Sequence, residues 1–99
     1  MAIYYEMKMI CEKVGLSPKT IRCWIEEGLL SPQREGKRYV FNEEDLKRIL
    51  LIRRLRDDLG VNLAGIDIIL QLLDRIATLE DEIARLRKEL GNFSSGLPA

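Results

Sequence analysis

The sequence contains no histidine, and this absence removes the side chain that enzymes use most often as a general base. It also has no Ser/His/Asp set, no glycine-rich phosphate-binding loop and no cluster of residues spaced as metal ligands. Only two cysteines occur, Cys11 and Cys23, and each lies within an apolar helical pattern. We therefore expect a non-enzymatic protein without cofactor or metal, in which both cysteines have a packing role.

Net charge and long apolar runs are also absent. The 16 basic and 16 acidic side chains balance, so no global charge marks a nucleic-acid binder. No apolar run approaches the roughly 20 residues of a membrane span, and residues 1–6 lack the basic and apolar regions of a signal peptide. We expect a cytoplasmic protein with no membrane partner. Because 99 residues form only a modest core, a partner chain is also expected.

Two short helices joined by a tight turn are predicted near the N-terminus. Apolar residues recur at helical spacing over residues 7–14, and Gly15 supplies the left-handed position that ends a helix. Ser17 is a strong N-cap, and Pro18 suits the first position of a second helix that runs to Glu27. This arrangement predicts a helix-turn-helix. Three polar residues of the second helix would face outward: Lys19, Thr20 and Arg22.

The next segment predicts a small β-hairpin, or wing. Residues 33–41 form two short strands that turn near Glu35 and Gly36. Tyr39 and Phe41 fall on one strand face and are expected to cover the core. The wing carries three basic residues: Arg34, Lys37 and Arg38.

Two further helices are predicted after the wing. Asn42 is followed by three acidic residues, a pattern typical of a helix start, and the helix should run to about Asp58. Asn62 can cap the last helix, which continues to Leu90 and should end at Gly91. The sequence therefore predicts a mainly α fold in which a winged helix-turn-helix precedes a long C-terminal helix.

The last helix carries a heptad repeat with isoleucine at position a and leucine at position d. A homodimer is predicted through these residues: Ile69, Leu72, Ile76, Leu79, Ile83, Leu86 and Leu90. The alternative is a single helix that folds back on its own domain. In a parallel pair, Arg75 would face Glu80 and Glu82 would face Arg87. Because exposed pairs contribute only a few tenths of a kcal/mol, these charges do not decide between a parallel and an antiparallel pair.

The chain resembles the MerR family from Met7 to about Leu90. Four stretches carry the resemblance: VGLSPKTIR (14–22), EGLLSP (27–32), NEEDL (42–46) and LGVNLAGI (59–66). The resemblance implies a winged helix-turn-helix over residues 1–60 and a coiled-coil dimerisation segment over 61–91. Residues 92–99 have no periodicity and are expected to form a disordered tail. It also implies an antiparallel dimer that binds duplex DNA, in contrast to the parallel charge pattern.

Two branches of the family are equally similar to residues 60–66: the heat-shock repressors of chaperone genes, and the CbpM-type chaperone modulators, which bind a DnaJ-like co-chaperone. The chain length and residues 52–59 favour the modulators. The family usually has Arg-Tyr-Tyr-Glu in its recognition helix, whereas this chain has Arg-Cys-Trp-Ile at 22–25.

Each branch implies different site residues. In a transcriptional regulator, the second helix would enter the major groove and the wing would contact the flanking backbone. The DNA-binding residues would then be Lys19, Thr20, Arg22, Arg34, Lys37 and Arg38. In a chaperone modulator, the basic face of a J-domain would meet acidic residues, among them Glu43, Glu44, Asp57 and Asp58.

Overall fold

The N-terminal part of the computed structural model is a helix-turn-helix. Helix α1 spans Met7–Val14 and helix α2 spans Pro18–Glu26. Gly15 joins them with a φ of 68°, a left-handed conformation that glycine adopts without steric cost. The Ser17 hydroxyl caps α2 by accepting the Thr20 N–H at 3.2 Å. Both predicted helices are present, and α2 ends one residue earlier than predicted.

A small antiparallel sheet contains the predicted wing. Strand β1 spans Tyr5–Glu6, β2 spans Gln33–Glu35 and β3 spans Arg38–Phe41, in the order β1-β3-β2. The hairpin of β2 and β3 turns at Gly36, whose φ is 63°, as the sequence predicts. Strand β1 was not predicted, because two residues are too few to show the alternation that marks a strand.

Helix α3 spans Glu43–Asp57 and begins with a complete capping box. The Asn42 side chain accepts the Asp45 N–H at 2.8 Å, and the Asp45 carboxylate accepts the Asn42 N–H at 2.9 Å. These reciprocal bonds satisfy two N–H groups at the point where the chain leaves β3. The predicted cap and the approximate length of the helix are both confirmed.

Two arginines of α3 fasten the helix-turn-helix to this helix. The Arg48 Nε donates to the Leu29 carbonyl at 2.7 Å, just after α2. The Arg53 guanidinium donates to the Val14 carbonyl at the end of α1. Carbonyls at helix ends have no partner within their own helix, so a charged donor satisfies them well. Helix α3 therefore fixes the positions of the last residue of α1 and the segment that follows α2.

Helix α4 spans Leu63–Ser95, and Asn62 caps it by accepting the Gly65 N–H at 2.8 Å. The structure describes residues 2–95, with side chains to residue 92. The prediction that Gly91 ends this helix is wrong, because a glycine lowers helix stability but stops a helix only where it turns left-handed. The predicted disordered tail of residues 92–99 is wrong for residues 92–95, which continue α4, and residues 96–99 lie outside the described residues. Within the described part, no helix is both long and apolar enough to span a membrane.

The chain divides into two compact units, the first ending at Ile66 and the second beginning at Asp67. The buried core of the first unit takes side chains from α1, α2, α3, the sheet, the segment after α2 and the first turn of α4: Tyr5, Ile10, Val14, Ile21, Trp24, Leu29, Leu30, Phe41, Ile49, Ile52, Leu55 and Ile66. Among the described residues, no charged or polar residue is buried. The first unit is therefore held mainly by apolar burial and helix caps.

Removal of the capping box should lower the free energy of unfolding by a measurable amount. Asn42→Ala leaves the N–H groups at the start of α3 without a side-chain acceptor, and we expect the free energy of unfolding to fall by about 1 kcal/mol. Urea unfolding followed by circular dichroism measures this change. Ser31→Ala, in an exposed loop, is the control, and an equal loss in both variants would contradict the role of the cap.

Candidate nucleic-acid interface

An exposed groove with four basic side chains lies where α1, α2 and the wing meet. Arg22 comes from α2, Lys8 from α1, and Lys37 and Arg38 from the wing. Three further residues complete its lining: Glu6, Met7 and Tyr39. We call this surface the basic groove. It carries four positive side chains against one negative side chain, although the whole chain has a net charge of zero.

The apolar packing of α2 determines which of its side chains face outward. Ile21 and Trp24 are buried, with only 2% of Trp24 exposed, and they hold one side of the helix against the core. Arg22 follows Ile21 by one residue and is therefore turned to the surface. The predicted outward position of Arg22 is observed.

In the wing, the alternation of side chains along β3 determines which residues face outward. Phe41 is fully buried and Tyr39 is half-buried on one face of β3, with ring centroids 6.5 Å apart. Arg38 lies on the other face and is exposed. The aromatic residues thus take the inward positions that the sequence predicts, and Arg38 is left for the basic groove.

One ion pair crosses the basic groove. The Arg38 guanidinium donates to the Glu6 carboxylate of β1, and the two side chains are 73% and 69% exposed. An ion pair this exposed contributes little to folding stability. Its effect is on charge, because the Glu6 carboxylate offsets one of the four cations and holds Arg38 beside β1.

Arg34 is held by the ring of Tyr39. These two residues are directly opposite each other in the β2–β3 pairing, and the guanidinium carbon lies 4.9 Å from the ring centroid. A cation at this distance from a ring face is attracted to it without losing contact with water. Arg34 is therefore positioned on the wing but does not line the basic groove.

Lys19 and Thr20 are at the start of α2 and do not line the basic groove either. Lys19 is exposed. Thr20 is half-buried, and its hydroxyl lies 3.1 Å from the Ser17 hydroxyl within the helix cap. Of the six predicted DNA-binding residues, the structure brings three together in one groove: Arg22, Lys37 and Arg38.

Sequence reasoning missed Lys8 and Glu6. Lys8 lies on α1 opposite the apolar stripe that defined this helix, so its outward position was available from the pattern. Glu6 belongs to β1, the strand that the sequence did not reveal. The Tyr5 hydroxyl fixes this strand by donating to Glu43 of α3. That hydrogen bond, with some burial, raises the pKa of Tyr5 above its ordinary value of 10.0.

The two cysteines differ in their surroundings. Cys11 is half-buried on α1, and burial raises the pKa of its thiol. Cys23 is exposed on α2, next in sequence to Arg22. The prediction that both cysteines pack structurally is therefore wrong for Cys23, because a position between the buried Ile21 and Trp24 on a helix turns away from the core. No three histidine, cysteine, aspartate or glutamate residues among those described could hold a metal ion.

The predicted dimer residues form a row of exposed side chains along α4. Their exposed fractions range from 39% at Leu79 to 64% at Leu90, and Ile69 is half-buried. Ile68 and Leu73 are exposed beside the row. Within the single chain, the row is open to water from Leu72 onward.

The fold and the basic groove together define a winged helix-turn-helix regulatory protein. The family model of the MerR HTH family of regulatory proteins matches residues 5–88, and the chain belongs to this family. The resemblance that the sequence suggested is thus confirmed. The solved structure of HiNmlR, described as a MerR family regulator lacking the sensor domain and bound to promoter DNA, matches with a TM-score of 0.65. It is 21% identical over 94% of this chain and 77% of that chain, and it confirms the fold.

Two curated relatives represent both predicted branches. A putative heat shock protein HspR of Streptomyces coelicolor is 31% identical over 94% of this chain and 62% of the relative. The chaperone modulatory protein CbpM of Pseudomonas entomophila is 23% identical over 93% of this chain and 92% of the relative. The chain thus spans about three fifths of the length of the HspR relative and most of the length of CbpM.

The cysteines offer a chemical test of the orientation of α2. We expect Cys23 to react with a thiol-specific disulfide reagent about ten-fold faster than Cys11, because access and thiolate fraction both govern this reaction. The variants Cys11→Ser and Cys23→Ser each leave one thiol, and absorbance follows its reaction. Equal rates in the folded variants would contradict the outward position of Cys23, and denaturant should make the two rates equal.

Proposed function

We propose that this MerR-family protein binds duplex DNA as a homodimer and regulates transcription without catalysing a reaction. The observation that supports it best is the basic groove, in which α2 and the wing bring together Arg22, Lys37 and Arg38. An α-helix fits the major groove of DNA, and an adjacent wing reaches the flanking phosphates. The heat shock name of the HspR relative supports chaperone or stress genes as the regulated class.

The electrostatics favour a nucleic acid over an uncharged partner. Each protomer has four basic residues in the basic groove, and Lys19 at the start of α2 and Arg34 on the wing bring the number on the helix-turn-helix and wing to six: Lys8, Lys19, Arg22, Arg34, Lys37 and Arg38. A homodimer doubles this number. Each phosphate that such a residue neutralises releases counterions, so affinity should fall steeply as salt concentration rises.

Arg22→Ala tests the proposal directly. In this chain, Arg22 is exposed, lies in the middle of α2 and forms no side-chain hydrogen bond or ion pair within residues 2–92. We expect its removal to weaken binding about 10- to 100-fold and to reduce the salt slope by about 2 per dimer, one for each half-site. Fluorescence anisotropy with labelled duplex DNA from the upstream region of the gene, at about 50 and 200 mM salt, measures both.

Arg54→Ala is the matched control. Arg54 is an exposed arginine of α3 that does not line the basic groove, so its loss removes the same charge without touching the site. The proposal requires the Arg54 variant to bind within about two-fold of the parent protein. Equal losses for both variants would show non-specific attraction, and absence of binding by the parent at low salt would refute DNA binding.

A second candidate function is chaperone modulation through a DnaJ-like co-chaperone. The similar length of the CbpM relative favours it. Three of the four acidic residues expected at that interface have partners within the chain, as Arg38 has in the basic groove, and exposed pairs of this kind are weak enough to exchange for a ligand. Glu43 accepts from the Tyr5 hydroxyl, Glu44 lies 3.4 Å from Lys47, and Asp57 accepts from the Arg56 Nε at 2.7 Å. Arg56 also holds the pKa of the Asp57 carboxyl below its ordinary value, so this carboxylate is already stabilised within the chain.

A co-chaperone experiment separates the two functions. A DnaJ-like protein from the same organism is immobilised, and the chain is passed over it with and without the DNA duplex. Binding to the co-chaperone that survives Arg22→Ala and is lost in Asp58→Lys would support the modulator. If, in addition, the chain does not bind the duplex, the DNA-binding proposal is contradicted.

A further inference from the structure

Arg38 lies between two carboxylates on the outward face of the sheet. In the β2–β3 pairing it is directly opposite Glu35, and in the β1–β3 pairing Glu6 is opposite Val40, two residues further along β3. Side chains of directly opposite residues, and of residues two positions apart on one strand, share one face of a sheet. All three charged residues therefore share the face that is turned away from the buried Phe41.

Arg38 makes its ion pair with Glu6 and not with Glu35. The guanidinium donates to the Glu6 carboxylate, whereas Glu35 has no ion pair or side-chain hydrogen bond within residues 2–92. Glu6 also lines the basic groove, and Glu35 does not. The two glutamates thus have the same charge and are both beside Arg38, but the Glu6 carboxylate is the one that occupies a cation of the proposed DNA-binding surface.

The position of Glu6 before α1 does not account for its carboxylate. Glu6 is the N-cap residue of this helix, where a polar side chain often accepts an N–H of the first turn. Its side chain makes no such bond, and its exposed pair with Arg38 contributes little to folding stability. The Tyr5 side chain, which is buried and donates to Glu43, already fixes β1. The Glu6 carboxylate therefore acts on the basic groove rather than on the fold.

A DNA phosphate and the Glu6 carboxylate compete for the same guanidinium. Arginine pairs with phosphate and with carboxylate through the same parallel N–H donors. Both side chains of the ion pair are exposed, so the pair is weak enough for a polyanion to displace. After displacement, the carboxylate stays beside the DNA, where it repels phosphates and retains a cation that would otherwise be released. Glu6 thus lowers both the affinity for DNA and the number of ions released on binding.

We propose that Glu6 restrains the DNA-binding surface by holding Arg38, so that a phosphate has to displace the carboxylate before Arg38 contributes to binding. This inference rests on the proposed DNA binding and adds a restraint to the same site. Phosphate contacts carry no sequence information directly, so a weaker phosphate contact leaves a larger share of the binding to the side chains of α2. Glu6 is therefore a positioning residue that limits binding to unrelated duplexes.

Glu6→Gln tests the restraint with a side chain of similar size and no charge. We expect the variant to bind duplex DNA about 3- to 10-fold more tightly than the parent, because each homodimer loses two restraining pairs. The salt slope should become steeper by about 2 per dimer, one for each half-site. The gain should be equal on the upstream duplex and on an unrelated duplex of the same length. Fluorescence anisotropy at about 50 and 200 mM salt measures all three quantities.

Glu35→Gln is the matched control. It removes the same charge beside the same arginine without breaking an ion pair, and it should bind within about two-fold of the parent. A second comparison uses Arg38→Ala, which should weaken the Glu6→Gln variant about 3-fold or more beyond its effect on the parent, since the restraint is absent from that variant. Urea unfolding followed by circular dichroism should give the same free energy of unfolding for the parent and the glutamate variants.

The outcomes separate the restraint from the function on which it rests. If the parent binds no duplex at low salt, DNA binding is refuted and the restraint with it. If the parent binds DNA but Glu6→Gln gives no gain, or Glu35→Gln gives an equal gain, the restraint alone is overturned. A gain confined to the upstream duplex would overturn it as well. So would equal effects of Arg38→Ala in the parent and in the Glu6→Gln variant, because the two side chains would then act independently.

Discussion

The burial of Ile21 and Trp24 fixes the rotation of α2, and the rest of the interface depends on that rotation. A helix of nine residues has too little intrinsic stability to stand alone, so packing decides which face is turned to water. With these two side chains in the core, Arg22 and Cys23 have only the outward direction left. The departure of residues 23–25 from the usual family pattern is thus of two kinds: Trp24 is buried in the core and Ile25 is half-buried, whereas Cys23 changes the exposed surface.

Arginine serves two separate purposes in the first unit. Arg53 donates to the Val14 carbonyl at the end of α1, and Arg48 donates to the Leu29 carbonyl in the segment after α2. Arg22 makes no such bond within the described residues and is available to a ligand. Counting basic residues along the chain cannot separate these roles, since only the contacts show which guanidinium groups are already used.

The sequence predicted most of the fold because local signals determine most of its boundaries. Gly15, the Ser17 cap and the Asn42 capping box each act over a few residues, and all appear where expected. Gly91 was misjudged because a glycine terminates a helix only when the following chain takes a left-handed turn. The basic groove was partly predictable: Arg22 and Arg38 follow from periodicity, whereas Glu6 depends on the pairing of β1 with β3, a contact between residues about 34 positions apart.

A protein with no net charge can still bind a polyanion if its charges are segregated. At physiological salt, exposed charges more than about 8 Å apart are largely screened from each other, so a ligand responds to the nearest groups. In this chain, the acidic residues at the start of α3 cap a helix or pair with neighbours, while the basic groove has a single carboxylate. That carboxylate is held by Arg38, which leaves Lys8, Arg22 and Lys37 to define the local field. In the proposed function, the local field and not the net charge selects the partner, and the neutral composition limits unspecific attraction elsewhere on the surface.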